Sequence, residues 1–460
     1  MPSRSRLREI LLLGDNPWWI PPLILGRVPP AIDARRVSLL GFVSFALFFE
    51  QYDLSLLSNA LKYICDDLGI AETQLGYFQM LIRLGALPAF LLIPLTDQIG
   101  RRRLFLASLV GMSVGTVLTG LAQSAAQFVA FQMLTRTFVL TASAVSVVIV
   151  TEEFPAAHRG WGLGMLAAIG AVGHGLGALL FAAVEDLPFE WRALYVVGVL
   201  PILLLPLFRR GITETERFRS HQQAIVGSAA LRGWLRPVLG LVRTHPGRAS
   251  ALAGVLALAA LGHAVVINFT AYFVLEYHDW RPYQLSAMVI TAGAVGLIGN
   301  VVAGRLADEI GRRRVGLGFL AVFPASAWLF FYGPSLALAP LWAVLVFTLM
   351  GGNVILRALS TELFPTSHRG TSAGVLALME TLGAAFGMYL LGSYQQERGD
   401  LVFLIPLLST ACLLAGLALL FFPETSQREL EALSREEAET GPAESNTAVP
   451  RAPRASALEP

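Results

Sequence analysis

The sequence predicts an all-α membrane protein: twelve transmembrane helices arranged as two pseudo-symmetric six-helix bundles. Three observations carry that prediction. The 460 residues are 55% hydrophobic and 14% charged, with a mean hydropathy of +0.62, too apolar for the surface of a soluble domain. The apolar residues gather into twelve runs close to the roughly 20 residues a bilayer core demands of a helix. Finally, one stretch is written twice. Thr151 to Leu166 reads TEEFPAAHRGWGLGML and Thr361 to Leu376 reads TELFPTSHRGTSAGVL; Asp97-Gln-Ile-Gly-Arg-Arg-Arg103 likewise returns as Asp308-Glu-Ile-Gly-Arg-Arg-Arg314. Self-similarity at that period marks a duplicated half.

Taken in order, residues 1–36 carry Arg4, Arg6 and Arg8 before an apolar run broken by Asp15, Asn16 and Pro17. This fits a cytoplasmic lead-in better than a cleaved signal. The first bundle, 37–208, holds spans near 37–62, 73–96, 103–123, 127–151, 160–183 and 192–208. A linker, 209–248, contains eight arginines. The second bundle, 249–422, holds spans near 249–275, 283–305, 314–333, 337–360, 370–392 and 400–422, followed by a polar, mostly disordered cytoplasmic tail, 423–460. Arginines crowd the N-terminus, linker, tail and the 2–3, 4–5, 8–9 and 10–11 loops. The positive-inside rule therefore places both termini in the cytoplasm, and a bacterial inner membrane is the expected setting. Cys65 and Cys412 form no metal or redox spacing.

Twelve spans in two halves, with Asp-x-x-Gly-Arg-Arg-Arg in both the 2–3 and 8–9 loops, resemble the major facilitator superfamily. Glu152 to Arg159, Glu362 to Arg369, Gly211-Ile-Thr-Glu214-Thr-Glu-Arg217 and Pro423-Glu424-Thr-Ser-Gln-Arg428 are similar to motifs of its sugar porters and organic-acid/proton symporters. Phe49-Glu-Gln-Tyr-Asp-Leu54 resembles the acid-x-x-acid signature of bacterial aromatic-acid and metabolite symporters. The resemblance covers residues 37 to about 431. It implies alternating access by rocking of the halves. Ala178, where proton-antiporting drug exporters have proline, counts against export.

Intramembrane charges cost about 2.5 to 3.5 kcal/mol on insertion scales, so each should be paired or face water. Glu50, Asp53, Arg83 and Arg136 fall at similar depth in the first half. Asp53 is the expected proton site with Glu50 as partner. Arg136 is the expected clamp for a substrate carboxylate, and Arg83 either clamp or internal counter-ion. A permanent acid–arginine bridge is the competing reading. His263, 210 residues after Asp53, could relay protons or simply pack. Glu380, Asn268, Asn353 and His174 are further substrate-contact candidates, each with helix packing as the alternative. Asp97, Arg101, Glu152 and Arg159, with their counterparts Asp308, Arg312, Glu362 and Arg369, read as a cytoplasmic gate. Asp97 or Asp308 would cap a neighbouring helix, and the arginines would reach the acids. Arg357 is expected to pair with Glu362 at that gate, with a place facing the cavity from the second half as the alternative, and Glu214 and Glu424 join the gate.

The expected function is proton-coupled uptake of a small organic anion, a carboxylate and possibly an aromatic one. A sugar or polyol porter, an exporter and a non-transporting nutrient receptor are the alternatives. No enzyme chemistry, cofactor beyond the proton, metal or nucleic-acid partner is expected. The partners are a small-molecule substrate and the bilayer, and the chain is expected to be monomeric.

Overall fold

The structure is a computed structural model, which describes residues 17, 28–215, 246–363 and 369–424. Most of segment 1–36, residues 216–245 of the linker and the tail from 425 onward lie outside the described residues, as do the side chains of Asp97 and Arg369. Among the described residues the chain is helices and turns. That is what lipid imposes, because every backbone N–H and C=O must be satisfied within its own segment.

Among the described residues ten helices are long and apolar enough to cross a membrane. They are α1 (Ala34–Asn59), α2 (Glu72–Leu95), α3 (Arg101–Gly120), α4 (Ala125–Glu153), α5 (Arg159–Phe181), α7 (Pro246–Tyr277), α8 (Pro282–Ile310), α9 (Arg312–Tyr332), α10 (Leu338–Glu362) and α11 (Arg369–Arg398). The two remaining predicted spans differ in kind. The sixth, α6, is bent by 40° between Trp191–Leu203 and Leu205–Gly211, where Pro201 and Pro206 lack the N–H a continuous helix needs. The twelfth, α12, is a shorter helix, Leu404–Leu419, interrupted at Thr410.

The packing is duplicated. α1 lies on α5 as α7 lies on α11, and α3 lies on α4 as α9 lies on α10; the halves meet through α2 with α11, α5 with α8, and α1 with α7. Between lipid-bathed helices close packing replaces the hydrophobic effect as the driving force, so small residues mark the contacts. A Cβ on Gly173 would sit 2.1 Å from the Phe48 carbonyl oxygen of α1, and one on Gly383 would sit 2.2 Å from that of Ala257 of α7. The motif turns are duplicated too. Gly100 and Gly311, with φ of +99° and +110°, let the chain reverse directly into α3 and α9, a conformation that side-chain-bearing residues resist. These turns define a motif end of the molecule. The α1–α2 and α7–α8 connections define the far end.

Candidate functional site

At the motif end each half builds the same lattice from its own residues. The Arg101 guanidinium meets Glu152 at 3.0 Å, and Arg312 meets Glu362 at 3.3 Å as well as Asp308. The helix N-termini are capped from a distance in sequence: the Arg101 N–H donates to Glu214 Oε1 at 2.9 Å and the Arg312 N–H to Glu424 Oε1 at 2.7 Å. Carboxylates there satisfy orphan N–H groups and oppose the helix dipole. This corrects one expectation: Glu214 and Glu424 cap α3 and α9, while Asp308 neutralises Arg312. Two others change as well. Arg159 donates to the Phe154 carbonyl at 3.2 Å and stays out of the lattice. Arg357 does not pair with Glu362, since residues five apart leave a helix on different faces. Its charge acts instead on Glu380 of α11 and, across the halves, on Glu50 of α1.

At the far end the contacts run between halves. Lys62 pairs with Glu276, Tyr277 donates to Glu72 Oε1 at 2.5 Å, and Arg281 approaches Glu185 at 3.8 Å. Beneath them α2 and α11 nearly touch. A Cβ on Gly76 would lie 2.3 Å from the Gly392 nitrogen, the Gly76 N–H donates to buried Gln395 at 3.2 Å, and the Tyr77 and Tyr389 rings meet edge to face. Ion pairs, hydrogen bonds and a close helix crossing thus join the halves at the far end.

Between these layers lie the predicted charges. Asp53 is 2% exposed on α1, and its Oδ1 accepts from Gln132 Nε2 of α4 at 3.4 Å. Its Oδ2 has no hydrogen-bond partner, nor do Gln132 Oε1 and the Tyr195 hydroxyl, all buried. Glu50 is half-buried and accepts from the Ser143 hydroxyl of α4. The Arg136 charge acts on both acids, yet among the described residues Arg136 forms no hydrogen bond or ion pair. The permanent bridge is therefore not what the fold contains. Arg83 of α2 neighbours Arg136 and is likewise unpaired.

The second-half candidates are placed differently. His263 is buried within its own bundle, its ring edge-on to Phe323 at 4.5 Å and its Nε2 without a partner. The Asn268 amide donates to its own helix, to the Ala264 carbonyl at 2.7 Å. His174 is half-buried on α5, beside the Gln51 backbone of α1. Asn353 is half-buried one turn before Arg357. Gln132, Ser143 and Tyr195 were not anticipated. A polar residue four positions before Arg136 was the available signal for Gln132, since it shares that arginine's helix face.

Comparison with known proteins bears on what such a molecule is. The family model described as Major Facilitator Superfamily matches residues 43–388 and again 252–457. NiaP of Bacillus subtilis, named for niacin/nicotinamide transport, is 24% identical over 88% of this chain and 100% of its own length. The 3-(3-hydroxy-phenyl)propionate transporter of Escherichia coli is 23% identical over 85% of this chain and 95% of its own. Among solved structures, a D-xylose-proton symporter superposes with a TM-score of 0.69 at 18% identity, covering 85% of this chain and 99% of its own, a likeness of fold.

Proposed function

This chain belongs to the major facilitator superfamily, as a multi-pass membrane transporter of small molecules and not an enzyme, and from that premise we propose that it takes up a small organic carboxylate together with a proton. One observation carries the reading. Asp53 and Arg136 stand close enough for their charges to interact, yet neither is closed into an ion pair. A buried carboxylate short of partners is costly while ionised, and an unpaired guanidinium offers a planar fork suited to a carboxylate. Binding a proton at Asp53 and an anion at Arg136 satisfies both groups together, which is coupling. The names of the relatives, one for niacin/nicotinamide and one for a hydroxyphenylpropionate, support an aromatic acid.

In this reading the motif end, with its arginine-rich loops, faces the cytoplasm, and the joined far end faces outside. Transport requires opening the Lys62–Glu276 and Gly76–Gln395 contacts and closing the motif end, as expected for rocking of repeats about a midplane site. In this reading Arg101, Glu152, Asp308, Arg312, Glu362, Glu214 and Glu424, which hold the motif end of each half, form the cytoplasmic gate. A thermal-shift screen of purified protein with aromatic and aliphatic carboxylates, sugars and organic cations at two pH values tests the assignment, because a ligand bound only by the folded state raises apparent stability. Carboxylates should stabilise the protein in a pH-dependent way. Stabilisation by sugars alone would refute the anion reading in favour of a sugar porter.

A further inference from the structure

Within the first half a shorter repetition exists. Phe78-Gln-Met-Leu-Ile-Arg83 on α2 returns as Phe131-Gln-Met-Leu-Thr-Arg136 on α4. Both helices run from the far end toward the motif end, and they pack on one another. Their backbones come together beside the arginines. A Cβ on Gly85 would lie 2.4 Å from the Met133 Cα, and the Thr137 hydroxyl donates to the Gly85 carbonyl at 2.6 Å. Two like sequences on two parallel, touching helices therefore bring two arginines to one level, within electrostatic reach of each other.

That arrangement is unfavourable by itself, since each cation repels the other at a depth where water screens poorly. It is also left uncompensated. Neither arginine has a hydrogen bond or ion pair among the described residues. The Arg136 charge acts on both Glu50 and Asp53, whereas Arg83 forms no ion pair with either acid among the described residues. Arg83 is thus not closed into a bridge with either acid, and the charge felt by it is that of Arg136. One turn before each arginine, Gln132 is engaged with Asp53, whereas Gln79 is 3% exposed with its Nε2 donor unpartnered. The site holds surplus donors and positive charge.

We infer that Arg83 and Arg136 form one clamp, in which a single carboxylate of the substrate bridges the two guanidinium groups, one oxygen to each. This rests on the anion reading above and adds which groups read the anion. A bridged carboxylate uses both oxygens as acceptors, so a neutral amide, which would turn an NH₂ toward one guanidinium, is rejected.

The test uses the full-length protein in detergent, titrated with benzoate, acetate or succinate and, as control, benzamide, with thermal unfolding as readout. The proteins are wild type, Arg83→Gln, Arg136→Gln, the double variant and Arg83→Lys. Each single glutamine variant should weaken anion affinity by about tenfold or more, the worth of a charge-assisted hydrogen bond. The double variant should lose little beyond either single one, because a bridge fails once one pier is gone. Without anion, Arg83→Gln should unfold at or above the wild-type midpoint, since a repulsion has been removed. Arg83→Lys keeps the charge but not the fork and should also bind about tenfold more weakly.

Losses that multiply in the double variant, or wild-type affinity in Arg83→Gln or Arg83→Lys, overturn the clamp. A fall in the anion-free midpoint of Arg83→Gln with affinity intact does so too, by showing a structural cation. If Arg83→Gln does not fold, Arg83→Lys decides the matter. Should none of the three anions stabilise wild type, the anion reading itself falls and takes the clamp with it.

Discussion

The two halves of the molecule agree at their ends and disagree in the middle. Gly173 meets α1 as Gly383 meets α7; Gly100 turns into α3 as Gly311 turns into α9; Glu214 caps one helix as Glu424 caps the other. At mid-depth the first half holds Glu50, Asp53, Arg83 and Arg136, drawn from three helices. The second places His263 against Phe323 and, among the described residues, sets the Arg357 charge against Glu380. Folding in lipid and reversing the chain at its surface are tasks both halves share, so the duplication preserves them. The coupling proposed above needs only a single set of groups, and the mid-depth acids and arginines it would use are concentrated on one side.

The largest effect expected from this contrast is on transport. Asp53→Asn should reduce proton-driven accumulation in vesicles to the level of protein-free controls, whereas His263→Gln, at the related depth of the other half, should leave it near wild type. Equal losses would mean the second half shares the proton chemistry. Next comes the scaffold. Gly173→Ala and Gly383→Ala each drive a methyl group into a carbonyl of the partner helix, and each should cost about 1 to 3 kcal/mol of unfolding free energy. Gly175→Ala, which would meet nothing within 4 Å, is the control. A marked inequality between the first two would show that the duplicated packing is not duplicated in energy.

A smaller effect is expected at the motif end. Arg101→Gln and Arg312→Gln remove matching contacts of partly exposed side chains, at about 1 to 2 kcal/mol each in chemical unfolding. The smallest concerns the far end. Burial holds the Asp66 carboxyl above its ordinary value, with Lys62 opposing and Glu276 adding to the effect. The joined arrangement therefore binds that proton more tightly than an arrangement where Asp66 is fully hydrated. The joined state gains as external pH falls and loses as pH rises through the raised value. Because Asp66 is exposed, the shift should be slight. The labelling rate of a cysteine at position 77 should fall on acidification, and Asp66→Asn should flatten that dependence.

The repeat made most of the fold legible, because apolar runs and a doubled Asp-x-x-Gly-Arg turn declare themselves without a partner. What it concealed has a physical pattern. The bend in α6 follows from Pro201 and Pro206, which interrupt backbone bonding within a run that still reads as apolar. Among site residues, charges announce themselves by their cost in lipid, so Asp53, Glu50, Arg83 and Arg136 stood out. Gln132, Ser143 and Tyr195 are cheaper to bury, and the need for them becomes visible only when α1, α4 and α6 are brought together. Arg357 was legible as a charge but not as a direction. Its link to Glu50 crosses 307 residues of sequence, and no local spacing records it.

Lys62 pairs with Glu276 at the far end, and it is the only lysine among 34 basic side chains. Amine chemistry therefore has one side-chain target in this protein, and that target sits where the halves join. A membrane-impermeant acylating reagent applied from the far side would modify Lys62 slowly while the pair is closed and faster each time it parts. The unaltered protein thus carries its own clock for the frequency of opening, readable by mass spectrometry as a single mass increment on a single peptide.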